Sequence, residues 1–354
     1  MKYFFEYHHW IGAVQLWVEN DGQPIATEIP HDRRHINVTI GNKRVITINL
    51  PCVVDVNTKG EVQRGKLFNV RLNELKSGKT FDRSSNHIME KLVAKWMRKD
   101  LVKHPFVFYC LDCDTPVISS INCKRIRDMP SEFWADFMDY WHCHKPDMEP
   151  HQKGHHVAAS ETLLHRYNNP LNPAVGEIML SDSFIYINKD WIPEKFIYDE
   201  ELVRSRSCNT VIGSFTKEGS VRIGKWNLRA EIGGFLDVFD PSNYVLYQIY
   251  NELKAHSIRL FHLKGDDKRY IIWVFGIGSC IQFDKSRMLN NCLKILYRDG
   301  KPAESEKNQN IAELKVEENS ALINFIQHLE SVNRQLPEEL RLLNEWKVSY
   351  ISCE

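Results

Sequence analysis

The sequence has no excess of either charge. Lys and Arg number 46, Asp and Glu number 46, and the formal net charge is zero. Such balance argues against a protein whose main work is to coat nucleic acid or an anionic membrane. No apolar run approaches the ~20 residues that span a bilayer, and the opening MKYFFEYHHW lacks the apolar core of a signal peptide. There is no GxGxxG after a strand, no GxxxxGK[ST], no GxSxG and no HExxH. RNP-type RNA-binding signatures, long heptad arrays and short tandem repeats are absent as well. Nine cysteines in a long chain make an odd set. The expectation is an intracellular soluble protein with reduced thiols, no membrane association and no direct nucleic-acid site.

What the sequence does have is β-pattern. Aromatic and β-branched residues alternate over 3–18, and further strands are expected over 43–56, 60–72, 106–110, 117–126, 177–188, 208–215, 221–232, 260–263, 269–275 and 347–351. Helices are expected at 88–97, 130–141, 244–253, 319–334 and shortly after Pro337, each from an apolar stripe at helical period or a start signal. Residues 145–176 read as a polar connection and 299–317 as a mobile loop. The fold class is therefore α+β and β-rich, with antiparallel sheets and a few packed helices. The expected domains are residues 1–150, carrying a zinc knuckle, and residues 175–354, an α+β domain.

The most informative stretch runs from Phe106 to Pro146. It opens on Cys110-Leu111-Asp112-Cys113 and closes on His142-Cys143-His144. Two thiols at i and i+3 on a tight turn can face one ion, and another element can complete a tetrahedral zinc site. The candidate metal residues are Cys110, Cys113, Cys143, His144 and Cys208. The set that completes the site is left between the 142–144 end of the expected helix, Cys208, or both. Zinc is expected as a structural cofactor. The other cysteines read as small core residues.

Several segments together resemble a known family. They are Tyr109-Cys110-Leu111-Asp112-Cys113, Met129-Pro130-Ser131-Glu132-Phe133-Trp134, Tyr140-Trp141-His142-Cys143-His144, residues 180–188, 208–213 and 266–273, and Leu336-Pro337-Glu338-Glu339-Leu340. The chain resembles the HECT-like, E2-binding ubiquitin ligase family, whose fungal members are linked to cleavage and polyadenylation of pre-mRNA. The resemblance implies an adaptor of cytoplasm and nucleus. It would bind a ubiquitin-conjugating enzyme and stabilise the endonuclease subunit that cuts pre-mRNA 3′ ends. The alternative it implies is an active E3 ubiquitin-protein ligase that accepts ubiquitin from an E2. Human-type members carry a second CxxC where this chain has Ser205-Arg206-Ser207-Cys208, so only Cys208 remains.

A thioester relay needs an exposed thiolate. Among the late cysteines, Cys280 and Cys292 sit in apolar surroundings and are expected to be buried. Cys353 is expected to be exposed on a frayed end. None stands in a HECT signature, so the adaptor is the expected reading and no residue is assigned a catalytic role.

Overall fold

The first strand, Tyr3–His8, is buried on both faces, which is why it reads as a run of aromatics rather than a clean alternation. Phe5 and Tyr7 enter one core with Val14, Leu16, Val70 and Leu72, and Phe4 enters a second with Ile281, Leu296 and Tyr350. The strand pairs antiparallel with Ala13–Glu19 on one side and with the second half of Arg269–Phe283 on the other. That pairing joins the start of the chain to its last third. The structure is a computed structural model that describes residues 2–20, 23–41, 44–75, 92, 94–129, 172–216, 219–284, 286–302 and 310–353.

The chain divides into two compact units. One is discontinuous, Met1–Val93 with Glu252–Glu354, and the other is the intervening Ala94–Asn251. This division differs from a split into residues 1–150 and 175–354. Sheet pairing is the reason, because strands far apart in sequence hydrogen-bond to one another.

The discontinuous unit is built on a ten-stranded sheet. Its main path runs Leu342–Leu343, Trp346–Ser352, Leu289–Asp299, Arg269–Phe283, Tyr3–His8, Ala13–Glu19, Leu67–Glu74, Val54–Arg64. Leu260–Lys264 pairs with the first half of Arg269–Phe283, and Ile311–Lys315 lies parallel to it. The helix Asn319–Gln335 buries Leu322, Phe325, Ile326 and Leu329. A three-stranded sheet, Ile25–Glu28, His35–Ile40 and Arg44–Asn49, adds Ile36, Val38 and Ile48 to the first core.

The intervening unit holds a seven-stranded and a four-stranded sheet. The seven-stranded one runs Arg125–Asp128, Glu177–Leu180, Phe184–Ile187, Val221–Gly224, Val211–Phe215, Leu202–Ser205, Phe196–Asp199. The four-stranded one runs Phe235–Val238, Leu228–Ile232, Phe106–Cys110, Pro116–Ser119. Gly213 has a steric reason to be glycine, since a Cβ there would stand 2.2 Å from the Arg222 carbonyl oxygen of the neighbouring strand.

The architecture is β-rich, with antiparallel sheets and few helices, as the pattern suggests. Several local expectations are corrected. Residues 221–232 are not one strand; a 3-10 turn at Lys225–Asn227 sends Val221–Gly224 and Leu228–Ile232 into different sheets. Ile311–Lys315 is a strand inside the stretch expected to be a loop, because pairing with Leu260–Lys264 supplies its hydrogen bonds. The segment after Pro337 is a 3-10 turn, Glu338–Leu340, then the short strand Leu342–Leu343. Of the helix expected over 88–97, residues 88–91 and 93 lie outside the described residues, and 94–97 are not helical. Trp96 takes φ 59° and its indole N–H bonds Asp237 at 2.9 Å, so a tertiary contact overrides the local period. The helix expected over 130–141 also lies outside the described residues. No helix among the described residues is long and apolar enough to cross a membrane.

Candidate metal centre

Phe106–Cys110 delivers Cys110 at the end of a strand in the four-stranded sheet. The chain then turns tightly: Asp114 N–H donates to the Cys110 carbonyl at 3.0 Å, and Cys110 N–H donates to the Thr115 carbonyl at 2.9 Å. Asp114 closes the turn in the left-handed region at φ 54°, where Asp and Asn are tolerated because a short polar side chain can bond locally. The geometry brings Cys113 back beside Cys110. The backbone N–H groups of Asp112 and Cys113 both donate to the Cys110 sulfur.

Cys208 arrives from the seven-stranded sheet, on the turn between Leu202–Ser205 and Val211–Phe215. Its sulfur is 3.7 Å from Cys110 Sγ, and the sulfurs of Cys110, Cys113 and Cys208 all lie within 4.8 Å of one another. A Zn–S bond of about 2.3 Å gives a tetrahedron with edges of about 3.8 Å, whereas a disulfide brings sulfurs to about 2.05 Å. The 3.7 Å separation is too long for a cystine and close to such an edge. Three thiols held this way can bind a metal.

Burial pushes the Cys110 thiol up to about 11 against the pull of the two N–H donors. The Thr210 hydroxyl beside Cys208 draws that thiol down to about 6. Thr210 Oγ1 also lies 2.7 Å from the Asp112 carboxylate, so its single hydrogen links the two turns or serves the sulfur, one at a time. A cation that binds must displace protons, which makes its affinity fall as pH falls.

Of the five candidate metal residues, the structure brings together Cys110, Cys113 and Cys208. Cys143 and His144 lie outside the described residues, as does His142. Among the described residues, the only group of three or more His, Cys, Asp or Glu side chains placed for one ion is this thiol triad.

The sequence carries a further finding. It matches, over residues 6–348, the model of the family described as HECT-like ubiquitin-conjugating enzyme (E2)-binding. The chain belongs to this HECT-like E2-binding family. It is similar to an uncharacterized protein of Saccharomyces cerevisiae, YJR141W, at 28% identity over 287 residues, covering 78% of this chain and 77% of that protein. It is also similar to an E3 ubiquitin-protein ligase of Mus musculus, at 22% identity over 281 residues, covering 69% of this chain and 70% of that protein.

For a member of a HECT-like family the placement of the late cysteines matters. Cys292 is fully buried, as expected, and Cys280 is half-buried. Cys353 is corrected: it is 3% exposed rather than free on a frayed end. Trp346–Ser352 pairs with Leu289–Asp299, and Cys353 N–H donates to the Asn291 carbonyl at 3.2 Å, so the sheet ties the end down. Burial also pushes the Cys353 thiol up to about 12.

Sequence reasoning missed two sites. Lys225 is wholly buried within the 3-10 turn. Glu6, wholly buried, is ringed by His8, Ser279 and Lys294. Neither has a local pattern to betray it, because Lys225 bonds the distant carbonyls of Lys95 and Asp182, and Glu6 meets Ser279 and Lys294 from other strands besides its neighbour His8.

Proposed function

We propose that this chain is an adaptor that docks a ubiquitin-conjugating enzyme without carrying ubiquitin as a thioester itself. Family membership over residues 6–348 is the observation that carries the E2 partner. Burial of Cys292 and Cys353 favours an adaptor over a thioester relay, since a relay needs an accessible thiolate. Zinc on Cys110, Cys113 and Cys208 would be structural in this reading, pinning the four-stranded sheet to the seven-stranded one beside it in the same unit.

The process served is read from the family resemblance alone: stabilisation of the endonuclease that cleaves pre-mRNA 3′ ends, in nucleus and cytoplasm. Three experiments test the reading. Titration of purified chain against a panel of E2 enzymes should give saturable binding to at least one. Incubation with the ubiquitin-charged form of that E2 should leave no reducible ubiquitin adduct on the chain. An adduct lost in Cys292→Ser or Cys353→Ser would make the chain a ligase. Affinity capture that recovers no cleavage-factor subunit would sink the processing role.

A further inference from the structure

The two turns that meet at the thiol cluster have the same construction. In the first, Cys110 N–H donates to the Thr115 carbonyl at 2.9 Å, Asp114 N–H donates to the Cys110 carbonyl at 3.0 Å, and Asp114 has φ 54°. In the second, Ser205 N–H donates to the Thr210 carbonyl at 2.9 Å, Asn209 N–H donates to the Ser205 carbonyl at 2.8 Å, and Asn209 has φ 61°. The side chains repeat as well. Cys113 Sγ lies 3.4 Å from Thr115 Oγ1, and Thr210 holds the equivalent place in the turn of Cys208.

Position by position, Cys113 corresponds to Cys208, Asp114 to Asn209 and Thr115 to Thr210. The residue that corresponds to Cys110 is Ser205. It is 2% exposed and opens the turn on which Cys208 sits. Two equivalent turns facing one centre supply four corners. Three carry sulfur, and the fourth carries the hydroxyl of a buried serine.

We propose that Ser205 occupies the fourth corner of the site, so that this chain binds a thiophilic divalent cation through three thiolates and one oxygen. The inference rests on the reading of the three thiols as a metal site. A hydroxyl is a harder and weaker donor to such a cation than a thiolate. Three thiolates also leave a complex with one unit less negative charge than four. The site is therefore weaker than a four-cysteine site. It is one atom from becoming one, because Ser205→Cys exchanges oxygen for sulfur on a backbone already shaped for cysteine.

The test uses the full chain with cobalt(II) as a spectroscopic probe and zinc in competition with a chelator. Wild type should bind one cobalt per chain, with thiolate-to-cobalt charge-transfer absorption. Ser205→Cys should raise that absorption by about one third, as expected for a fourth thiolate. It should also tighten zinc by more than the roughly 10–100-fold that an outer-sphere change produces. Ser205→Ala should weaken zinc while keeping the charge-transfer intensity, which guards against a Ser205→Cys protein that fails to fold. Unchanged affinity and intensity in both Ser205 variants, with metal still bound, would overturn the assignment of the corner. So would a loss of affinity in Cys143→Ser or His144→Ala, which would place the fourth donor there. Wild type that takes up neither cobalt nor zinc would overturn the metal reading itself, which separates the two failures.

Discussion

Glu6 and Lys294 meet at 2.9 Å across an intervening strand of the ten-stranded sheet. The Glu6 side chain is 1% exposed and that of Lys294 is 20% exposed. His8 Nε2 approaches the same carboxylate at 3.4 Å, and the Ser279 hydroxyl donates to it at 3.3 Å. Lys294 also lies over the ring of Tyr350, with Nζ 5.3 Å from its centroid. A charge taken out of water is tolerated here because every side of it has a partner.

Removing the cation should therefore cost more than a surface ion pair would. Lys294→Met leaves a buried carboxylate without its main counter-charge, and the expected loss is about 3–5 kcal/mol of unfolding free energy. The double change Glu6→Gln with Lys294→Met should recover much of that loss. Urea unfolding of the two variants against wild type measures both. Equal stability of Lys294→Met and wild type would mean that the pair contributes nothing.

The same group predicts an acid limb. Burial pushes the Glu6 carboxyl up, but the His8 hydrogen bond and the Lys294 charge outweigh it and hold it at about 2, below its ordinary 4.5. Between those values the unfolded chain binds the proton and the folded chain does not. The stabilisation is therefore complete above about 4.5 and lost as pH falls toward about 2, to the order of 3 kcal/mol. Thermal midpoints followed from pH 6 to pH 3 (roughly the accessible range) should fall for wild type and fall less for Glu6→Gln.

Lys225 gives a limb on the alkaline side. Its ammonium donates to the carbonyls of Lys95 at 2.6 Å and Asp182 at 3.2 Å, and sits 3.7 Å from Met97 Sδ. Burial draws it down to about 7 from 10.5, against the opposing pull of Asp182, Asp128 and Asp100. The unfolded state binds the proton more tightly over that window, so stability should rise with pH from about 7 toward about 10.5 and be flat below it. Lys225→Met should abolish this slope. It should also leave two carbonyls without a donor, at about 1–3 kcal/mol each. Denaturant midpoints at several pH values check both outcomes.

Metal removal is the fourth prediction. Dialysis against a strong chelator should release about one zinc per chain and lower the thermal midpoint, and added zinc should restore it, because binding to the folded state alone is folding free energy. Cys110→Ser and Cys113→Ser should each mimic the stripped protein and respond weakly to added zinc. A chelator-treated chain with an unchanged midpoint would exclude a structural ion.

The strand pattern was legible along the chain because the period of two is a local property. Glu177–Leu180 and Phe184–Ile187 pair around Ser181 as their sequence suggests. Partners were not legible. Nothing in Tyr3–His8 points to Arg269–Phe283, and nothing in the apolar residues around Trp96 points to Asp237. Lys225 sits in a stretch whose pattern continues as one strand, and only tertiary packing turns it inward.

For the thiol cluster the division is the same. The sequence by itself supplied the thiols: a CxxC on a strand end and a lone Cys208 much later. Tertiary structure decided that the two turns belong to different sheets, that they face one another across 3.7 Å of sulfur contact, and that Ser205 holds the place of Cys110. The reason is physical. Side-chain type and turn geometry are fixed within a few residues by local sterics and hydrogen bonds, whereas the meeting of two distant turns is fixed by strand pairing and core packing summed over the whole unit.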